Sequence, residues 1–373
     1  VITDTDDWSG KRVFLRAALN VPVQNGSVQN DFRLKQSLET ITWLTSRGAK
    51  VILASHIGRD PEESLAPVYA VLKEIVPMEF SAEVLGERTK RMVADMEDGD
   101  VVLIENLRQH QGEKNNDPAL AELLADLADV YVDDDFTTAH RAHASIVGVP
   151  AHLPAYAGLT FAREYTELGK ARTPESPALF LLGGAKFDTK LPLVEKYLDI
   201  YDHVFVGGAL ANDFFKAKGF EVGASLVSDI DLSDSALLEH PKLVLPIDVV
   251  AEYDGQRRVS APDHVEPHER ILDAGPATAA MLQEHIAAAK MILWNGPFGD
   301  YEHGFAEQTL ATAGAIAAAE AYSVIGGGDT VAAIEELQIS EQIDFLSTAG
   351  GAMLQFLEHG SLPGIDAIVS SHG

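Results

Sequence analysis

Short apolar runs alternate with amphipathic stretches along this chain, and the residues that close each run change character halfway. Seven runs, beginning at Val51, Val101, Val130, Leu181, Val204, Ile292 and Val324, read as buried strands. They carry few polar residues, the pattern of strands covered on both faces. Arg12-Val-Phe-Leu-Arg16 reads as an earlier strand. Helices are expected from Phe32 to Arg47, closed by Gly48, and from Ala119 to Leu127 after the turn Asn115-Asn-Asp-Pro118. Two more are expected from Phe161 to Lys170 and from Met353 to Glu358. Such alternation implies βαβ units and a mainly parallel sheet. Two prolines in Ala171-Arg-Thr-Pro174-Glu-Ser-Pro177 precede a new strand and mark a domain break.

In the first half the strands end in cations. Ser55-His56-Ile-Gly-Arg59, Glu105-Asn-Leu-Arg108 and Thr138-Ala-His140-Arg141 follow three of them. In the second half they end in glycine: Gly183 and Gly184, Gly207 and Gly208, Asn295-Gly296-Pro297, then Gly326, Gly327 and Gly328 before Asp329 and Thr330. Open parallel sheets bind ligands beyond the carboxyl ends of their strands. One half therefore offers guanidinium groups to a small anion, and the other offers bare backbone to a nucleotide phosphate chain. That layout fits phosphoryl transfer by a two-domain enzyme.

At 373 residues the chain can form two cores. No apolar stretch approaches the roughly 20 residues of a membrane helix, and Val1-Ile-Thr-Asp-Thr-Asp-Asp7 lacks a signal-peptide pattern. The absence of cysteine removes disulfides, thiolate catalysis and Cys-based metal sites, and points to the cytoplasm. A formal charge of −29 argues against a nucleic-acid partner. Adaptation to high salt and simple solubility both account for that acidity. The overall field repels anionic ligands, so cations must be gathered locally. Ten of the fourteen arginines lie before residue 170, and a guanidinium fork suits bidentate phosphate or carboxylate contacts.

Gly326 to Leu337 reads as strand end, glycine loop, then helix, a start that presents free N–H groups to phosphate. Asp329 there either contacts Mg²⁺ or caps a turn. Ser347-Thr-Ala-Gly350-Gly351 repeats the arrangement. Lys186 and Lys190, four apart after a glycine-ended strand, would share a helix face. Neither a P-loop nor a Gly-x-Gly-x-x-Gly fingerprint is present, which weakens a dehydrogenase reading. Glu302 reaches a ribose hydroxyl or simply sits in a turn. His140 and His143 lack a third clustered ligand, so an anion site suits them better than zinc.

Taken in order, seven segments resemble the phosphoglycerate kinase family over about Lys11 to Ile368. They are Asn20-Val-Pro22, Ser55 to Arg59, Glu105 to Arg108, Thr138 to His143, Gly183 to Lys186, Asn295 to Pro297 and Gly326 to Thr330. The resemblance implies an α/β fold of two doubly wound parallel-sheet, Rossmann-like domains joined by a hinge helix. It divides the chain into 1–160 with 360–373 for phosphoglycerate, a linker at 161–175, and 176–359 for nucleotide. The implied reaction is reversible transfer between 1,3-bisphosphoglycerate and MgADP, giving 3-phosphoglycerate and MgATP, by a cytoplasmic monomer that closes about its hinge. By position, Asn20, His56, Arg59, Arg108 and Arg141 match the phosphoglycerate grip. Arg33, Lys186 and Lys190 match the cations on the transferring phosphoryl, and Asp329 matches the Mg²⁺ contact. Gly184, Gly207, Gly208, Asn295, Pro297, Glu302, Gly326, Gly327, Gly328, Thr330, Gly350 and Gly351 match the ATP/ADP site.

Three departures stand out. Arg16-Ala-Ala18-Leu-Asn20 has alanine where the family carries an aspartate that accepts from the substrate hydroxyl. A weaker but retained phosphoglycerate site follows, with a catalytically impaired anion-binding relative as the alternative. Ala209 and Ala349 replace family glycines, which is tolerated only at negative φ and away from ligand. Phe187-Asp188-Thr189 moves the aspartate usually found beside the second lysine.

Overall fold

The computed structural model describes residues 1–232 and 236–372. It divides into two compact units, Val1–Thr166 with the C-terminal segment from Ser361, and Glu167–Gly360. The helix Leu159–Arg172 carries the chain from one to the other. Gly373, placed by the sequence reading in the first domain, lies outside the described residues.

The first unit is built on six strands: β1 Arg12–Ala17, β2 Lys50–Ala54, β3 Glu79–Ser81, β4 Val101–Ile104, β5 Val130–Asp134 and β6 Ala155–Ala157. Every neighbouring pair is parallel, in the order β3-β4-β2-β1-β5-β6. The runs read as apolar throughout are buried, because Val13, Leu15, Val51, Leu53, Val101, Leu103, Val130 and Val132 form one core with Leu34, Ile41 and Leu44 of helix Phe32–Thr45. The helix expected from Ala119 runs Pro118–Ala125, and the Asp117 carboxylate accepts from Ala119 N–H at 2.8 Å. The tail forms the helix Pro363–Ser370, tied to this unit by Gly364 N–H to Ala139 C=O at 2.8 Å and Ala155 N–H to Ser371 Oγ at 3.1 Å.

The second unit carries β7 Ala178–Leu182, β8 His203–Val206, β9 Leu243–Val244, β10 Met291–Asn295, β11 Tyr322–Gly326 and β12 Phe345–Ser347. Its order, β9-β8-β7-β10-β11-β12, is parallel throughout and reverses direction between β7 and β10. A doubly wound sheet opens a ligand crevice at such a reversal. Leu179, Leu181, Phe205, Ile292, Trp294, Phe298 and Ile325 fill the core below it. A three-stranded antiparallel sheet, Val249–Tyr253, Gln256–Ser260 and Arg270–Ala274, is an addition that no apolar run announced.

Candidate active site

In the first unit the cations gather at the carboxyl ends of β1, β2, β4 and β5. Two asparagines join the loops. Asn106 Oδ1 accepts from Ile57 N–H at 3.2 Å and Arg108 N–H at 3.1 Å, and its Nδ2 donates to Glu63 C=O at 2.8 Å. Asn20 Oδ1 accepts from Gly58 N–H at 2.9 Å, and Arg33 Nη1 donates to Asn20 C=O at 3.1 Å. Arg108 Nη1 donates to Gly58 C=O. Arg59 and Arg141 leave their side chains exposed.

A residue that the sequence reading left unassigned organises this cluster. Arg16 is 1% exposed and spends its guanidinium inside the protein. It pairs with Asp135 Oδ2 at 2.9 Å and donates to Ser145 Oγ at 3.2 Å, Ala17 C=O at 2.9 Å and His56 Nδ1 at 2.8 Å. A guanidinium only donates, so His56 Nδ1 accepts and the ring proton sits on Nε2. His56 is thereby a neutral donor with a fixed orientation. Arg16 stands in the segment leading to Asn20, but its partner Asp135 lies beyond a different strand, a pairing that no local pattern reveals.

Burial and crowded positive charge shift the titrating groups of this cluster. Burial and the charges of Arg16, Arg108 and Arg141 hold the His56 imidazole well below its ordinary value. Burial and Arg141 bring Arg108 down to about 10, and burial with Arg141 brings His143 to about 4. Positive charges crowded in this way are relieved when an anion enters.

In the second unit a cleft of about 1380 Å³ opens at the reversal between β7 and β10. Of the helices that begin on it, Ala209–Ala217, Gly328–Glu336 and Gly351–His359 each start from a glycine without a side-chain cap. Those cap positions, Gly208, Gly327 and Gly350, have φ of +63°, +103° and +57°, a region L residues avoid. Free first-turn N–H groups and the helix dipole suit a phosphate chain. Lys190 is buried and donates from Nζ to Gly183 C=O. Burial and the neighbouring Lys186 bring it to about 8, opposed by Asp329.

The predicted residues do not all face this cleft. Gly184, Gly208, Asn295, Pro297, Glu302, Gly327, Gly328, Gly350 and Gly351 line it with Lys186, Lys190 and Asp329. Gly207, Gly326 and Thr330 stand off its lining. A β-carbon on Gly207 would fall 2.7 Å from the Phe205 ring, and one on Gly326 would fall 2.3 Å from Met353 Sδ. These two glycines serve packing. At Gly328, Gly350 and Gly351 the same β-carbon would meet nothing within 4 Å, which leaves their backbone open to ligand. Thr330 Oγ1 accepts from Gly296 N–H at 2.9 Å and so holds the Asn295-Gly296-Pro297 turn.

Lys186 and Lys190 do not share a helix face, because the helix Phe187–Ile200 starts after Lys186, which caps it, exposed. Neither Ala209 nor Ala349 is among the described residues with positive φ, so the backbone condition is met at both. Ala349 is buried off the cleft lining, whereas Ala209 is on it. Phe215, Leu226, Val227 and Leu272 add an apolar wall that the sequence reading missed, since they come from three separate segments.

A cation cluster on one doubly wound unit and a glycine-lined cleft on the other are the layout of a phosphotransferase. The chain is similar to the phosphoglycerate kinases of Pelotomaculum thermopropionicum, 42% identical over 97% of each chain, and Maricaulis maris, 41% identical over 98% of this chain and 96% of that one. It also resembles the structure of phosphoglycerate kinase from Coxiella burnetii, with TM-score 0.86, 38% identity and 98% of each chain covered. The Pyrococcus horikoshii phosphoglycerate kinase structure matches with TM-score 0.86 and 31% identity, over 99% of this chain and 98% of that one. Residues 2–360 match the phosphoglycerate kinase family, and the chain belongs to it. Its reaction is reversible phosphoryl transfer between 1,3-bisphosphoglycerate and ADP.

Proposed function

We propose that the cation cluster of the first unit holds the phosphoglycerate and the cleft of the second holds the nucleotide. The convergence of three glycine-started helices with Lys190 at the β7–β10 reversal supports this most directly. His56, Arg108 and Arg141, joined by Arg59 and Asn20, grip the carboxylate and phosphate of the three-carbon substrate. Arg33, Lys186 and Lys190 neutralise the phosphoryl group in flight.

An acyl phosphate is already activated, so no nucleophilic side chain is needed. Positioning and charge neutralisation suffice. With each ligand held on its own unit, transfer follows closure that excludes water. Mg²⁺ fits as a companion of the nucleotide. Among the described residues no group of three His, Cys, Asp or Glu could hold a metal ion, while the half-buried Asp329 carboxylate faces the cleft. One carboxylate beside substrate phosphates and water is the usual Mg²⁺ arrangement. When bound, the ion supplies charge neutralisation on the phosphate oxygens.

Ala18 alone gives little ground for an impaired relative, because Arg33, Lys186, Lys190 and Asp329 are all retained. Among the described residues no helix is long and apolar enough to cross a membrane. A cytoplasmic monomer completes the reading, on the resemblance and the cysteine-free composition. The test is initial rates of ADP formation from MgATP with 3-phosphoglycerate titrated to saturation. A normal kcat with raised KM for 3-phosphoglycerate is expected, and Lys190→Ala should lower kcat by about 10²–10³. Full kcat in the Lys190→Ala enzyme would remove that lysine from the chemistry.

A further inference from the structure

Two of the helices that start on the cleft are tied together further along. Helix Phe187–Ile200 brings Lys190 to the cleft in its first turn, and helix Gly351–His359 brings Gly351. Lys196 Nζ, on the first helix, donates to Leu357 C=O at 3.0 Å and to Glu358 C=O, the last carbonyls of the second. Tyr197 Oη donates to Leu357 C=O at 3.1 Å. Arg172 places its guanidinium 5.6 Å from the centre of the Phe356 ring, so the same helix end carries a second cation.

The spacing gives this tie a consequence. Six residues separate Lys190 from Lys196, and six separate Gly351 from Leu357. At about 1.5 Å rise per residue each interval is about 9 Å, so the tie lies at equal depth on both helices. It fixes the axial register of the Gly351 N–H against the Lys190 ammonium. The Lys196 ammonium also satisfies carbonyls that end a helix whose first N–H groups are left for ligand, and it complements the dipole. Phosphate held by both helix starts feels any slip between them, since a displacement near 1 Å can cost about 10²-fold in a positioned reaction.

We propose that Lys196 is a positioning residue for the nucleotide phosphates, holding the two helix starts in register without touching ligand. Tyr197 supports it by sharing the Leu357 carbonyl. The inference rests on the cleft being the nucleotide site, and the experiment separates the two ideas.

MgADP and 3-phosphoglycerate affinities are measured by calorimetry on the full chain carrying Lys196→Met, Lys196→Arg, Tyr197→Phe or Lys190→Ala, alongside initial rates. Lys196→Met is expected to weaken MgADP binding by about 3- to 10-fold with 3-phosphoglycerate affinity unchanged. Lys196→Arg, which can still donate, should recover most of the loss, and Tyr197→Phe should show a smaller shift in the same direction. If Lys190→Ala weakens MgADP binding but Lys196→Met does not, the positioning role is overturned. Equal weakening of both ligands by Lys196→Met overturns it too, because that outcome reports general destabilisation. If Lys190→Ala leaves both MgADP binding and kcat intact, the cleft assignment fails instead. Should Lys196→Met not fold, Tyr197→Phe decides: no selective loss of MgADP affinity removes the proposal.

Discussion

Three consecutive aspartates show how far a residue's role departs from its type. Asp133 lies fully buried, with its carboxyl held well above the ordinary range by desolvation. Asp134 accepts from the N–H groups of Thr160 at 2.9 Å and Phe161 at 3.1 Å, and Asp135 neutralises Arg16. The sequence alone shows only an acidic end to an apolar strand. Lys190 is similar: its place after a glycine-ended strand was legible, but its burial against Gly183 C=O was not. That burial has a measurable result. With the ammonium at about 8, the cation is present below that pH and is lost as pH rises through it. kcat/KM for nucleotide, which reports the free enzyme, should therefore fall above about pH 8, while kcat holds to higher pH because bound phosphates favour the charged form. Lys190→Arg should flatten that limb in a rate profile, and a limb that persists belongs to another group. At Ala18, which is nearly buried two residues before Asn20, restoring a carboxylate addresses the family departure directly. Ala18→Asp should lower KM for 3-phosphoglycerate by up to about tenfold at unchanged kcat, the worth of one recovered hydrogen bond. An unchanged KM would show that position 18 does not reach the substrate hydroxyl.

At the scale of elements, the strands carrying long apolar runs could be read from pattern, as could the helices Phe32–Thr45, Pro118–Ala125, Leu159–Arg172, Gly328–Glu336 and Gly351–His359. The edge strands Glu79–Ser81, Ala155–Ala157, Leu243–Val244 and Phe345–Ser347 could not, since two or three residues carry no periodicity. Helix starts divide in the same way. Asp117 caps its own helix and sits where a sequence rule looks for it. The helices Leu159–Arg172 and Glu307–Ala317 find partners for first-turn N–H groups, those of Thr160, Phe161 and Gln308, in distant carboxylates, Asp134 and Asp273. Burial raises both carboxyls to about 7. A group that holds its proton to about pH 7 when folded but releases it near pH 4 when unfolded makes the folded state bind more protons in that interval. Its contribution to stability is complete below about pH 4 and is lost as pH rises toward 7. Asp134→Asn and Asp273→Asn keep an acceptor for the helix N–H groups without the titration. Urea midpoints at pH 5 and pH 8 should therefore differ less in these variants than in the parent chain. An undiminished pH slope would place the titration elsewhere.

For the molecule as a whole, the formal charge of −29 and the local cation cluster oppose each other. Self-repulsion among surface carboxylates destabilises the folded state, so added KCl should raise the melting temperature. Salt screens over about 10 Å at 0.1 M and about 3 Å at 1 M. A gain that levels off within a few tenths molar is what screening alone produces, whereas a rise continuing into the molar range marks an acidic surface adapted to high salt. Ligand affinity should move the other way. Burial and the guanidinium charges around them lower His56 and Arg108, so the field in the cluster proposed for phosphoglycerate is positive despite the net charge and attracts an anion at close range. Screening weakens that attraction, so KM for 3-phosphoglycerate should rise with KCl while the melting temperature rises too. Were KM to fall with salt, the long-range repulsion of the acidic surface would outweigh the cluster, and the anion site would owe its affinity to hydrogen-bond geometry rather than to its field.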